Sequence, residues 1–313
     1  MFPIIPAGSA TGASKNDNGI FLFGSTGAGA FTGVSNIVSN TGVVASDVAA
    51  VASGKIYTGA TEYGGDKGIS AFGYYEDGGP VYINTQNLIS NVGVVASDTA
   101  GVGTARSKLG SCRYGTDTAI FAFGHTGSVV VSTSNLVSNV GVIASDTAGV
   151  GTARHAVMGA EFGTDQGIMA FGNTGSGGSF VTIRNLVSNV GVVASDAAGA
   201  GTARGWSWAC DYGEDTAIFA FGFNDSWVGL GMSNLVSNTG VVASDTAAVG
   251  TGRGGSGACE YGQDKGIFGF GNTGGAGWNS SDITNLVSNT GVIASDVSGV
   301  GTSRYYIAGC SFN

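Results

Sequence analysis

Residues 103–124 read GTARSKLGSCRYGTDTAIFAFG. They pass from a base, Arg106, through small side chains to a YGTD turn and an apolar run that ends in Gly124. The apolar run recurs at 20–24, 69–73, 120–124, 168–172, 218–222 and 267–271, with intervals of 49, 51, 48, 50 and 49 residues between the leading Ile residues. A second block, SNLVSNTGVVASD at 233–245, has counterparts ending at Asp47, Asp98, Asp146, Asp196, Asp245 and Asp296. Eight residues after each Asp stands a base: Lys55, Arg106, Arg154, Arg204, Arg253 and Arg304. Repetition at this period marks a repeat architecture.

Each unit reads as four short strands. The small-residue stretch after the base is the first, and IFAFG is the second. A variable connection leads to a third around NLVSN, and a Gly turn opens a fourth, GVVAS. Gly, Asn and Asp punctuate these runs because they tolerate positive φ or cap their own backbone. Val, Ile, Thr and Gly abound, and no segment sustains a 3.6-residue period, so helix is disfavoured. Four strands in about fifty residues match a propeller blade. The chain enters at the second strand of the first unit and stops after the first strand of a would-be seventh, at 305–312. That last piece, RYYIAGCSFN (304–313), aligns without gaps on RGGSGACEYG (253–262). The predicted fold is therefore all-β: a six-bladed β-propeller of four-stranded antiparallel blades spanning 15–313, closed by the C-terminal strand completing the first blade. Such closure removes exposed sheet edges. Residues 6–14, PAGSATGAS, offer a second candidate for the completing strand but lack the base and the Cys. Residues 1–14 are expected to form an N-terminal arm.

Composition sets the outer limits. Only 11% of the 313 residues are charged, against about 25% in ordinary domains. With 42% hydrophobic residues the chain is not of the disordered class, and its 58 Gly without a strict third-position period or companion Pro exclude collagen. A net charge of −9 argues against a nucleic-acid surface. No apolar run approaches the roughly 18 residues needed to cross a bilayer, so no membrane insertion is expected. The opening MFPIIPAGSA lacks the basic region of a signal peptide.

The stretch 103–124 resembles a Kelch repeat, from its base through a small-residue strand to an apolar strand ending in Gly. The usual Gly-Gly doublet is broken: its second position holds Ser25, Tyr74, His125, Asn173, Phe223 and Asn272. Units rich in ASD-x-A-x-x-GTAR are also similar to those of virion and tail-associated structural proteins of tailed bacteriophages. That resemblance implies a virion component made in the host cytoplasm, with other virion proteins and a host-surface glycan or protein as partners. A bacterial cell surface is the alternative location.

Sixfold occurrence points to scaffold rather than catalysis. The Asp and base sets are expected to form ties between blades, since a guanidinium can hold a carboxylate and carbonyls together. A further Asp set, Asp17, Asp66, Asp117, Asp165, Asp215 and Asp264, is expected to cap turns. Cys112, Cys210, Cys259 and Cys310 fall at one repeat position, fourteen residues after the tie Asp, too far apart on successive blades for disulfides; they read as buried, reduced core residues. His125 and His155 are the only histidines, and no nucleophile elbow, HExxH string or calcium loop occurs. No enzyme, cofactor or metal is expected, with a Kelch-type oxidase as a remote alternative.

Within one chain, divergence between repeats marks places where scaffold demands are relaxed. It concentrates after the base and between the second and third strands, two segments that an up-and-down meander brings to one face. Tyr74, Tyr75, Tyr82, Trp206, Phe223, Trp227, Trp278, Tyr305 and Tyr306 lie there. Rigid aromatics suit protein interfaces and sugar faces, so these nine are the binding-face candidates, unless they fill the channel mouth. Phe2, Ile4 and Ile5 make 1–6 a candidate docking arm. The expected function is a non-enzymatic virion structural or host-attachment protein, with a lectin-like propeller as alternative.

Overall fold

The computed structural model describes residues 17–27, 29–175, 179–274 and 279–312. The proposed arm, with Phe2, Ile4 and Ile5, and the candidate Trp278 lie outside the described residues. The architecture is all-β, with no helix among the described residues and hence none long and apolar enough to cross a membrane.

Six three-stranded antiparallel sheets form a propeller-like arrangement. The inner strands are Gly59–Tyr63, Gly110–Tyr114, Met158–Phe162, Trp208–Tyr212, Gly257–Tyr261 and Ala308–Phe312. The middle strands are Asn18–Leu22, Lys67–Glu76, Thr118–His125, Gln166–Ala170, Thr216–Ala220 and Lys265–Asn272. The third strands are Ser35–Val38, Pro80–Ile89, Val130–Val137, Arg184–Val187, Ser233–Val236 and Ser280–Val287. The segment expected as a fourth strand makes two isolated bridges per sheet, such as Val137↔Ile143 and Ser134↔Thr147, rather than a continuous ladder. Its period is broken by Gly and Asp, which favour turns over extended pairing.

Register is uniform. The repeat Ile pairs inward with the Cys position and outward with Leu, or with Ile37 in the first sheet, as in Ile120↔Cys112 and Ile120↔Leu136. In the first sheet, Ile20 pairs with Cys310 near the other end of the chain. Each inner strand lies against two neighbouring inner strands, and Ala308–Phe312 meets both Gly257–Tyr261 and Gly59–Tyr63. The middle strands are apolar on both faces because each is sandwiched between adjacent sheets.

Packing between sheets explains the cysteines. All four are free and buried. Each lies where a side chain on the next sheet's middle-strand Gly would collide: a Cβ on Gly19 would come within 2.3 Å of Cys259 Sγ, on Gly68 within 2.8 Å of Cys310, on Gly167 within 2.4 Å of Cys112 and on Gly266 within 2.5 Å of Cys210. Where the inner position is Ala160 or Thr61, the facing position becomes Ala217 or Ala119. Four of the six interfaces thus set a Cys against a Gly with no room for a further methyl. Burial raises the pKa of all four thiols, which keeps them as inert packing groups.

The IFAFG run ends in a kink. Its last Phe adopts positive φ in every repeat, between 61° and 64° at Phe23, Phe72, Phe123, Phe171, Phe221 and Phe270. The following Gly continues at φ 109–122°, a region open to glycine and strained for other residues.

Candidate binding face

The repeat bases sit on this kink. Lys55, Arg106, Arg154, Arg204, Arg253 and Arg304 are almost wholly buried. Arg154 stacks over the Phe123 ring of the preceding sheet, 4.1 Å from its centroid, and its carbonyl accepts from Gly124 N at 3.0 Å. In its own sheet, Arg154 Nε donates to the Phe171 carbonyl at 2.9 Å and Nη2 to Asn185 Oδ1 at 2.7 Å. Asn185 in turn donates to Asp196 at 2.9 Å. Arg106, Arg253 and Arg304 repeat the pattern. Lys55 reaches Asn87 and Asp98 directly, at 2.6 and 2.7 Å. Arg204 departs, donating to Thr202 and Phe219 carbonyls. Burial lowers each repeat guanidinium to about 10, against the pull of its Asp.

The Asp partner of each base comes from the following block rather than from eight residues upstream. The ion-pair distances are modest, 3.9 Å for Arg106–Asp146, 4.0 Å for Arg154–Asp196, 3.9 Å for Arg204–Asp245 and 3.7 Å for Arg304–Asp47. The firmer bonds to these carboxylates come from the linker: Thr104, Thr152, Thr202, Thr251 and Thr302 donate both N–H and Oγ–H to Asp146, Asp196, Asp245, Asp296 and Asp47. Burial alone would raise these carboxyls, but the Thr and Asn donors hold them below the usual range. On the opposite face, Asp66, Asp117, Asp165, Asp215 and Asp264 accept from the Asn of the neighbouring Gly turn.

Two residues beyond each base, the chain forms a collar. Tyr57, Lys108, Ala156, Trp206, Gly255 and Tyr306 all have φ between 54° and 64°. Their backbones join across sheets: Lys108 N to Tyr57 O at 2.9 Å, Ala156 N to Lys108 O at 2.8 Å, Gly255 N to Trp206 O at 2.9 Å, Tyr306 N to Gly255 O at 2.7 Å and Tyr57 N to Tyr306 O at 3.4 Å. Bridges such as Ile56↔Tyr74, Ser107↔His125 and Gly205↔Phe223 bring the segment after the base beside the second-to-third-strand connection. The two divergent segments therefore share one face.

Aromatic rings cover the collar. Tyr57 lies 4.4 Å from Tyr306 and 5.0 Å from Trp206, centroid to centroid, and Trp206 lies 5.0 Å from Tyr306. Trp206, Phe223, Tyr305 and Tyr306 are buried, so they fill the mouth more than they present it. Trp227, 46% exposed, packs on Phe180, Phe223 and Trp206. Beside this plug opens a cleft of about 630 Å3 walled by Phe31, Tyr57, Tyr74, Tyr82, Tyr305 and Tyr306, with Glu76 and Lys108 also in its lining. Tyr75 is not among the lining residues. Burial raises Tyr57, Tyr74 (up to about 12) and Tyr82, so these phenols stay neutral hydrogen-bond donors at physiological pH.

Sequence reasoning missed Phe31, Tyr57, Glu76 and Lys108. Tyr57 and Lys108 lie in the divergent segment after the base and were legible there. It also missed a polar set beneath the plug: Glu62, Arg113, Glu161, Asp211, Glu260 and Ser311, one from each inner strand, around a void of about 50 Å3. The signal was available, because each follows the Cys position directly and interrupts a run of small residues. Arg113 pairs with Glu62 and Glu161, and Asp211 accepts from Glu161 N at 2.9 Å. Burial pushes Glu161 up to about 8, against the pull of Arg113 and with Asp211 and Glu62 adding. Trp208, at a position held by Gly59, Gly110 and Gly257 in other repeats, narrows the space above.

Among the described residues, no group of three or more His, Cys, Asp or Glu side chains is arranged to hold a metal. His125 and His155 are neighbours, with ring centroids 5.7 Å apart; burial and Lys108 push His155 down to about 3. Compared with protein-family models and with curated proteins, the chain gives no match.

Proposed function

We propose that this protein is a non-enzymatic host-attachment component of a tailed-phage particle. In this reading it is a closed six-bladed propeller of Kelch type, each blade finished by the two-bridge outer segment. It binds a host-surface glycan on the face where its repeats diverge. One observation carries the reading: a cleft of pocket size, walled by six aromatic rings, opens on that face. Sites for small ligands commonly have volumes of about 300–1,000 Å3, and flat aromatic rings suit the apolar faces of sugars while neutral phenols donate to hydroxyls. The opposite face is lined by uniform Asp–Asn turns, as expected of scaffold. The GTAR-containing repeats support the phage assignment by resemblance.

A glycan array tests the reading. Specific binding at micromolar concentration, lost in Tyr82→Ala, is expected. An array without binders removes the glycan-attachment reading.

A specific observation favours a second reading, a purely structural virion component. Val43, Val94, Val142, Val192, Val241 and Val292 are each more than half exposed at one repeat position. A sixfold apolar rim on a charge-poor molecule suits packing among other virion proteins. Density for the wheel in electron micrographs of intact particles, with its rim covered and its cleft blocked, would favour this alternative.

A further inference from the structure

Lys108 stands apart from every other cation of the molecule. Among the described residues it is the one Lys or Arg without a hydrogen bond or ion pair to a protein acceptor. The six repeat bases are otherwise engaged. Arg113 is met by Glu62 and Glu161, Lys67 and Lys265 pair with Asp66 and Asp264, and Arg184 donates to the Ala198 and Gly240 carbonyls. Lys108 has only ring faces, with Nζ 5.0 Å from the Tyr57 centroid and 5.3 Å from that of Trp206. It lines the cleft.

This is costly in an acidic protein. A half-buried ammonium forgoes part of its hydration, and with 21 acidic residues available none is placed against it. Cation–π contacts compensate only in part. The Trp206 indole N–H, also without a hydrogen-bond partner, adds a second unmet donor, and both histidines of the chain lie near enough for the Lys108 charge to depress them. Glu76, the one carboxylate of the lining, accepts from Tyr74 at 2.8 Å and is exposed at the rim.

We infer that the cleft takes an acidic sugar, its ring against the tyrosines and its carboxylate on Lys108 Nζ. The inference rests on the glycan-attachment reading and adds the ligand's charge and its seat. Because the protein carries a net charge of −9, long-range attraction does not supply the preference; it arises from the short-range charge-assisted bond.

The test measures binding of a uronate-containing oligosaccharide and of the same compound with its carboxylate reduced to the alcohol. Tenfold or tighter binding of the acid is expected, with the preference abolished in Lys108→Met and retained in Lys108→Arg. Melting temperatures of both variants report whether the collar is intact. Equal affinity for the two compounds, or a preference that survives Lys108→Met, overturns the inference and leaves glycan attachment standing. Absence of binding to these compounds and across the array overturns both.

Discussion

Arg304 Nε donates to the Phe23 carbonyl at 2.8 Å, a bond between residues 281 positions apart. The same side chain reaches Asn36 and lies over Phe270, 4.2 Å from its centroid. One guanidinium thus joins the final segment to the first sheet and to the sheet that precedes it in space. Removing residues 304–313 strips the inner strand from Asn18–Leu22 and leaves Asn36 without its donor. We expect such a truncation to lose the native near-ultraviolet circular dichroism and to aggregate. A truncated chain that melts cooperatively at the full-length temperature would refute the proposed closure.

Arg154→Ala leaves the Phe171 carbonyl and Asn185 without their donor inside the protein. Each buried acceptor left unmet costs about 1–3 kcal/mol, so a fall of several degrees in melting temperature is expected. Arg184 sits on a third strand, partly exposed, and Arg184→Ala should change stability by about 0.5 kcal/mol or less. Equal melting temperatures for the two variants would count against the tie.

How much of this was readable in advance follows from which features repeat. The strand order, a structural role for the repeat base and the pairing of the last strand with the first sheet were legible because six copies in register expose what every sheet needs; the burial of the base was not. The partner of each base was not. Asp146 and Arg154 are near in sequence, yet Arg154 bonds within the sheet that it opens, whose Asp is Asp196; a spacing rule carries no direction in space. β-branched composition at GVVAS predicts a continuous fourth strand, but it says nothing about the neighbouring Gly and Asp, and the segment pairs only through two isolated bridges, one of them beyond GVVAS. At the binding face the aromatics stood out, but their division into plug and cleft depends on three-dimensional neighbours. Lys108 was passed over because one unrepeated cation looks like an ordinary surface residue until its lack of a partner is seen.

The Cys–Gly complementarity gives a stringent check on sheet-to-sheet packing. Gly266→Ala places a methyl where Cys210 Sγ lies at 2.5 Å, an overpacking expected to cost about 1–3 kcal/mol. Adding Cys210→Ala recreates the arrangement at Ala160 and Ala217 and should recover much of that loss. Denaturant unfolding of the two single variants and the double variant yields the coupling. Strict additivity would show that the two residues do not share this contact.

Glu161 supplies a pH signature of the inner-strand polar set. Its folded pKa is pushed up to about 8, above the ordinary 4.5, so between these values the native protein holds a proton that the unfolded chain has released. Stability therefore falls as pH rises through this window, and the loss is complete above the folded value. Glu161→Gln mimics the protonated acid and still offers Arg113 an oxygen. Chemical denaturation between about pH 5 and pH 9 should show matching stabilities at the acid end and a more stable variant at the alkaline end. Parallel curves would mean that Glu161 is ionised throughout, with its charge fully met by Arg113.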